Sequence, residues 1–174
     1  LNKGLEVIEA HWLFGFPYDA IKVAIHPQSI VHGLVRLRDG SLIAHLGPAD
    51  MRLPLMNALY HPEMREFPWR GLGLEELGNL ELRPLRREDY PAFSLALGAA
   101  EEGGTAPAVL NAADEVAVGA FLAGRIEFPR IVSWIDEALA AHEVRAVGSL
   151  DDVLDADRWA REYLAGRHRE ASVA

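Results

Sequence analysis

Cysteine is missing from all 174 residues, which excludes disulfides, thiolate nucleophiles and cysteine-based zinc sites and leaves the redox compartment open. Any metal would then be held by carboxylates or histidines. No apolar run approaches the roughly 18 residues that span a bilayer, and the first residues lack the basic start and long apolar stretch of a secretion signal, so no membrane partner is expected. Repeats, low-complexity tracts, a glycine-rich phosphate loop and a nucleophile elbow are also missing. Lysine occurs only as Lys3 and Lys22, against fifteen arginines, a skew that beside abundant Ala and Leu reads as codon bias. No methionine opens the chain, which runs from Leu1 straight into a helical pattern and reads as a piece of a longer protein.

With half its residues apolar and a quarter charged, the chain is globular and long enough for one domain or two small ones. Charge is unevenly spread. Residues 1–60 hold five acids and five bases, whereas residues 87–174 hold 16 acids and 8 bases. An acidic second half argues against nucleic acid, because phosphate binding relies on basic surface.

The opening helix is expected to end at Gly15, with Pro17 beyond it. Residues 22–26 alternate as a strand, Pro27-Gln28-Ser29 interrupts, and residues 30–38 lead through Asp39-Gly40 into residues 41–46. Asp-Gly between two such runs predicts a two-residue hairpin turn. Pairing Arg38 with Ser41 puts Val31, Val35, Leu37, Leu42, Ala44 and Leu46 on a core face, with His32, Leu34, Arg36, Arg38, Ile43 and His45 opposite. In that register His32 opposes Gly47. A short helix to Tyr60 follows. Residues 61–91, rich in Pro and Gly, read as a surface connection pinned by Trp69, Leu72, Leu74 and Leu77. Beyond it four helices are expected: 92–100, 106–123 with Thr105 as N-cap and Gly124 as stop, one opened by Pro129, and about 155–167. They suggest a small antiparallel bundle.

Candidate chemistry gathers in the first six residues. On a helix, Leu1, Leu5, Ile8 and Trp12 form an apolar stripe, while Asn2, Lys3 and Glu6 share a polar arc of about 100°. An amide, an ammonium and a carboxylate so placed suit an anionic, hydroxylated ligand, with Glu6 as metal ligand or hydroxyl acceptor. An ordinary solvated face with a Lys3–Glu6 pair fits the same spacing. His32 on a polar, cationic sheet face fits an active-site role and equally a solvent or interface role. Met51 after a strand exit is ordinarily packing.

Five blocks then occur in order: Asn2-Lys3-Gly4-Leu5-Glu6-Val7-Ile8-Glu9-Ala10, Ile25-His26-Pro27-Gln28-Ser29-Ile30-Val31-His32, Asp39-Gly40-Ser41, Leu46-Gly47-Pro48-Ala49-Asp50-Met51-Arg52 and Thr105-Ala106-Pro107-Ala108-Val109-Leu110-Asn111-Ala112-Ala113-Asp114-Glu115-Val116-Ala117. Together they closely resemble the 1-deoxy-D-xylulose 5-phosphate reductoisomerase family. The resemblance implies a cytoplasmic, homodimeric enzyme with an amino-terminal Rossmann domain for NADPH, a catalytic domain and a carboxy-terminal bundle. The expected class here is α+β: a hairpin-containing sheet with flanking helices (1–60, the latter half of the catalytic and dimerising domain), a linker (61–91) and a four-helix bundle (92–174). The Rossmann domain lies outside this chain. The resemblance further implies a phosphorylated ketose substrate and Mg²⁺, Mn²⁺ or Co²⁺. It makes Glu6 a ligand of metal and substrate, Asn2 and Lys3 holders of the phosphate end, His32 a neighbour of the active site and Met51 a neighbour of the nicotinamide. Asp114 stands where many relatives have Asn.

Two other classes compete. A free-standing dimerisation or structural module needs none of this chemistry. A hydrolase built on His11, His26, His32 and His45 lacks any metal-ligand spacing.

Overall fold

The computed structural model describes residues 1–171, with side chains through residue 166. In chain order its elements are α1 (Asn2–Phe14), β1 (Ala24–Ile25), β2 (Val31–Arg36), β3 (Leu42–Leu46), α2 (Arg52–Tyr60), β4 (Arg83–Pro84), α3 (Pro91–Glu102), α4 (Ala106–Leu122), α5 (Phe128–Ala141) and α6 (Leu150–Ala171). They form two compact units, Leu1–Lys22 with Arg86–Ala174, and Val23–Leu85. Mixed helix and small sheets, closing on the four-helix bundle α3 to α6, is the α+β arrangement expected.

In the first unit α4 is the central helix, packed by α3, α5 and α6. Its interior faces are mostly alanine: Ala106, Ala112, Ala113, Ala117 and Ala120 are fully buried beside Val109 and Leu110. Alanine loses no rotamer freedom on burial and lets neighbouring backbones approach, so the larger Ile135, Leu164 and Trp134 of α5 and α6 fill the space between. Pro91, Pro107 and Pro129 sit in first turns, where a missing N–H leaves nothing unpaired. Asp152 fastens the start of α6 by accepting the Gly148 and Ser149 N–H groups at 3.0 and 2.8 Å. Those bonds hold its carboxyl below the usual range.

The helix α1 packs against α3 and ends where expected, with Gly15 at φ 69° donating its N–H to the His11 carbonyl. Its stripe differs from expectation at one end. Leu1, Leu5 and Ile8 pack on the core with buried Gly4 and Val7, but Trp12 is 75% exposed, because the packed surface covers only the first turns.

Thr105 also departs from its expected role. It stands in the N-cap position without a side-chain cap bond. Its buried Oγ1 accepts the Arg145 N–H at 3.1 Å and lies 2.7 Å from His142 Nε2. The hydroxyl keeps a proton and a second lone pair, so it can pair with either tautomer of the imidazole.

The second unit holds two separate antiparallel pairs. The strand β1 pairs with β4, Ala24 opposite Pro84 and Ile25 opposite Arg83. His26 Nδ1 donates to the Glu81 carbonyl at 2.7 Å, and the Gln28 amide donates to the Asn79 carbonyl at 3.0 Å. Polar contacts thus help to tie the connection, and of its apolar residues Leu72 and Leu77 are half-buried while Leu74 is exposed.

The β2–β3 hairpin exists, but its register is one residue from the expected one. Arg36 opposes Leu42, Val35 opposes Ile43, Leu34 opposes Ala44 and Gly33 opposes His45. Leu37 and Ser41 close a three-residue loop: Gly40 N–H donates to the Leu37 carbonyl, Leu37 N–H to the Ser41 carbonyl, and Gly40 takes φ 89°. Asp39 favours this longer loop by accepting both the N–H and the hydroxyl of Ser41, at 2.9 and 2.6 Å, which lowers its own pKa. The shift splits the expected core face, placing Val35 and Ile43 on one side and Leu42 and Ala44 on the other. Neither side is buried within this chain: Val35 is 57% exposed, and only Val31 and Leu46 at the open end are half-buried.

The burial of His142 makes the first unit sensitive to acid. Burial first, and then Arg145, depress the His142 pKa, so above the ordinary histidine value of about 6.5 both folded and unfolded chains carry it neutral. As pH falls below that value the unfolded chain takes up the proton first and stability is lost. The urea midpoint, followed by helical circular dichroism, should therefore drop from about pH 7.5 to about pH 5, and His142→Gln should flatten that drop.

Candidate functional site

Asn2, Lys3 and Glu6 occupy the first turns of α1, and the i,i+3 and i,i+4 spacing brings their polar ends together. The Asn2 amide donates to Glu6 Oε1 at 2.9 Å, and the Lys3 ammonium forms an ion pair with Glu6 Oε2. Each carboxylate oxygen thus has its own donor. The side chains of Lys3 and Glu6 remain 56% and 43% exposed, so the cluster presents donors and a negative oxygen pair to an incoming group. Gly4, within this turn, faces inward against Ala96 of α3.

Among the described residues no three His, Cys, Asp or Glu side chains gather as a metal site. Glu6 offers a divalent ion one hard oxygen donor group, which fits such an ion as a single ligand of a larger set.

His32 and Met51 belong to the second unit. A register irregularity between Val31 and Gly33 leaves His32 without an opposing residue and sets its ring 5.8 Å from that of His45, on the side that Val35 and Ile43 share. His32 and Val35, expected on opposite faces, therefore lie on the same one. The bulge that offsets the register carries the imidazole to the strand exit, where Nε2 is 3.1 Å from the Gly47 carbonyl and 3.2 Å from the Pro48 carbonyl. Both neighbours are acceptors, so Nε2 carries a proton and shares it between them.

The turn held in this way runs into α2. Asp50 N–H donates to the Pro48 carbonyl at 2.8 Å, and Asp50 Oδ1 accepts the Arg52 N–H at 2.9 Å, doing for α2 what Met51 in the cap position does not. Met51 stands between these fixed residues with its side chain 71% exposed. Its position follows from neighbours' bonds rather than from burial, so packing is not its role within this chain.

The other histidines are engaged separately. His11 Nδ1 contacts the Phe16 carbonyl at 2.6 Å and its ring stacks on Tyr18, while His26 holds Glu81. Asp114, half-buried on α4, has its pKa raised by burial.

The loop order makes a local test. His32→Ala should speed hydrogen exchange of the amides in residues 49–53 while leaving those of α4 unchanged, as followed by mass spectrometry.

Comparison with known proteins points to one family. Residues 46–163 match the family model described as the DXP reductoisomerase C-terminal domain. The chain is 51% identical over 164 residues to a 1-deoxy-D-xylulose 5-phosphate reductoisomerase of Gloeobacter violaceus, covering 94% of this chain and 42% of that protein. It is likewise 51% identical over 162 residues to that of Desulforamulus reducens, covering 93% and 42%. A solved reductoisomerase from Zymomonas mobilis in complex with NADPH superposes with TM-score 0.87 at 38% identity, over 96% of this chain and 44% of that one. A DOX-P reductoisomerase in complex with NADPH, fosmidomycin and magnesium also gives TM-score 0.87, at 34% identity, over 98% and 44%. The chain spans under half the length of these relatives.

Proposed function

This chain belongs to the 1-deoxy-D-xylulose 5-phosphate reductoisomerase family, and from that premise we propose that it is the carboxy-terminal part of an NADPH- and divalent-metal-dependent enzyme of non-mevalonate isoprenoid synthesis. That enzyme converts 1-deoxy-D-xylulose 5-phosphate into 2-C-methyl-D-erythritol 4-phosphate. Residues 1–60 form the latter half of its catalytic and dimerising domain, 61–91 its linker and 92–174 its bundle; the whole is a cytoplasmic homodimer. The observation that carries this reading is the convergence of the Asn2 amide and the Lys3 ammonium on the Glu6 carboxylate.

When bound, the divalent ion (Mg²⁺, Mn²⁺ or Co²⁺) supplies Lewis acidity to the oxygens of the substrate and NADPH supplies the hydride. Glu6 is the residue here that would hold the ion, its full charge and hard oxygens suiting the task. Asn2 and Lys3 hold that carboxylate in place and keep further capacity: the amide has a second N–H and a carbonyl, and the ammonium has two more protons. Those donors serve the phosphate end of the substrate, Lys3 as a point charge. In the second unit His32 keeps the Gly47–Pro48 turn in position as a neighbour of the active site, and exposed Met51 offers a polarizable apolar surface to the nicotinamide.

Two measurements test this. In the full-length protein, Glu6→Gln keeps the side chain's shape and loses its charge, so turnover should fall at least about 100-fold and half-saturation by Mg²⁺ should rise. Near-normal turnover at limiting Mg²⁺ would return Glu6 to an ordinary helix face. The segment of residues 1–174 by itself should show no saturable NADPH binding in calorimetric titration, and saturable binding would overturn the division of labour proposed here.

A further inference from the structure

Arg52 directly follows Met51, where an unengaged cation would be a natural clamp for cofactor phosphate. The structure gives it other work. Its Nε lies 2.9 Å from both carboxylate oxygens of Asp50, and one terminal nitrogen adds an ion pair to Oδ2. The flat face of the guanidinium lies over the indole of Trp69, 4.4 Å from the ring centroid. An edge and one face are therefore both engaged, and a planar group held on both is restrained from turning.

Trp69 comes from the connection 61–91, far along the chain from the loop it touches, and its other neighbour is Phe67 at 5.0 Å between ring centroids. Asp50 and Arg52 support each other electrostatically, each shifting the other toward its charged form. Yet an exposed ion pair between residues two apart does not by itself fix a loop. The fixing comes from its two ends. Pro48 accepts from His32 on the hairpin and from the Asp50 N–H, and Arg52 rests on Trp69. Met51 lies between Asp50 and Arg52, with its backbone held from both directions and its side chain free.

We propose that Trp69 is a positioning residue: by stacking on Arg52, which Asp50 holds, it fixes the Met51 loop and so gives the linker a part in seating the nicotinamide end of the cofactor. The proposal rests on the reading that Met51 borders the nicotinamide. Arg52 on this account is a strut, not a phosphate ligand.

Steady-state kinetics of the full-length protein test it with three variants, Trp69→Ala, Trp69→Phe and Met51→Ala. Trp69→Ala should raise KM for NADPH about three- to fivefold, the scale of one exposed cation–π contact, with KM for the ketose phosphate unchanged. Trp69→Phe, which keeps an aromatic face, should recover most of that loss, and Met51→Ala should also raise KM for NADPH. If Met51→Ala raises it and Trp69→Ala does not, the positioning role falls while the place of Met51 stands. If neither moves it, the place of Met51 falls and the proposal with it. A Trp69→Ala variant that changes both KM values and kcat together with a lower Tm would mark Trp69 as merely structural.

Discussion

The orientation of α1 depends on a contact made by the absence of a side chain. Gly4 lies so close to Ala96 of α3 that a Cβ at position 4 would collide with the alanine methyl. The helix therefore lies flush on the bundle, and Leu1, Leu5 and Ile8 reach the core around it. Gly4 is also flanked by Lys3 and followed closely by Glu6, so the residue that sets the depth of the helix sits within the polar cluster. Any larger residue there would lift the turn that carries Asn2, Lys3 and Glu6. A glycine inside a helix is intrinsically unfavourable by roughly 1 kcal/mol relative to alanine, and here close packing offsets that loss.

Helix limits were legible wherever local chemistry decides them. Gly15, Pro107 and Pro129 mark ends and starts that the structure reproduces within a residue or two. The polar cluster on α1 was legible for the same reason, since helical spacing alone brings Asn2 and Lys3 to Glu6. The hairpin was legible as an element but not in register, because Asp-Gly serves both a two-residue turn and the type I turn with a following left-handed glycine. The capture of Ser41 by Asp39 decides between them, and no pattern of apolar residues reports it. The role of Thr105 was hidden for a related reason, and so was the partner of Trp69. His142 lies 37 residues from Thr105, so a tertiary contact took the hydroxyl that the local pattern assigned to a cap, and no local pattern names Arg52 as what Trp69 packs on.

Charge follows the same division of labour. The acidic surplus lies in the bundle, where Arg161 joins Glu115 of α4 to Asp157 on its own helix, at 2.7 Å in each case. Both carboxyls are drawn below their usual range by the guanidinium, whose own pKa rises in return. Such exposed pairs add little stability, but they place the remaining negative charge on the outside, where it favours solubility.

The order of the two units along the chain has a kinetic consequence. The second unit is an insertion within the first, so α1 and α3, which pack together, are separated by the whole of residues 23–85. Contacts within the bundle α3 to α6 join elements that lie near one another along the chain and can form early, whereas docking of α1 must close a long loop, as must the β1–β4 pair. Loop closure grows only slowly more unfavourable with length, so the finished fold loses little by this topology. The delay falls instead on the search. The helix bearing Asn2, Lys3 and Glu6 is thus expected to be among the last elements seated, with the bundle serving as the template on which that corner of the molecule matures.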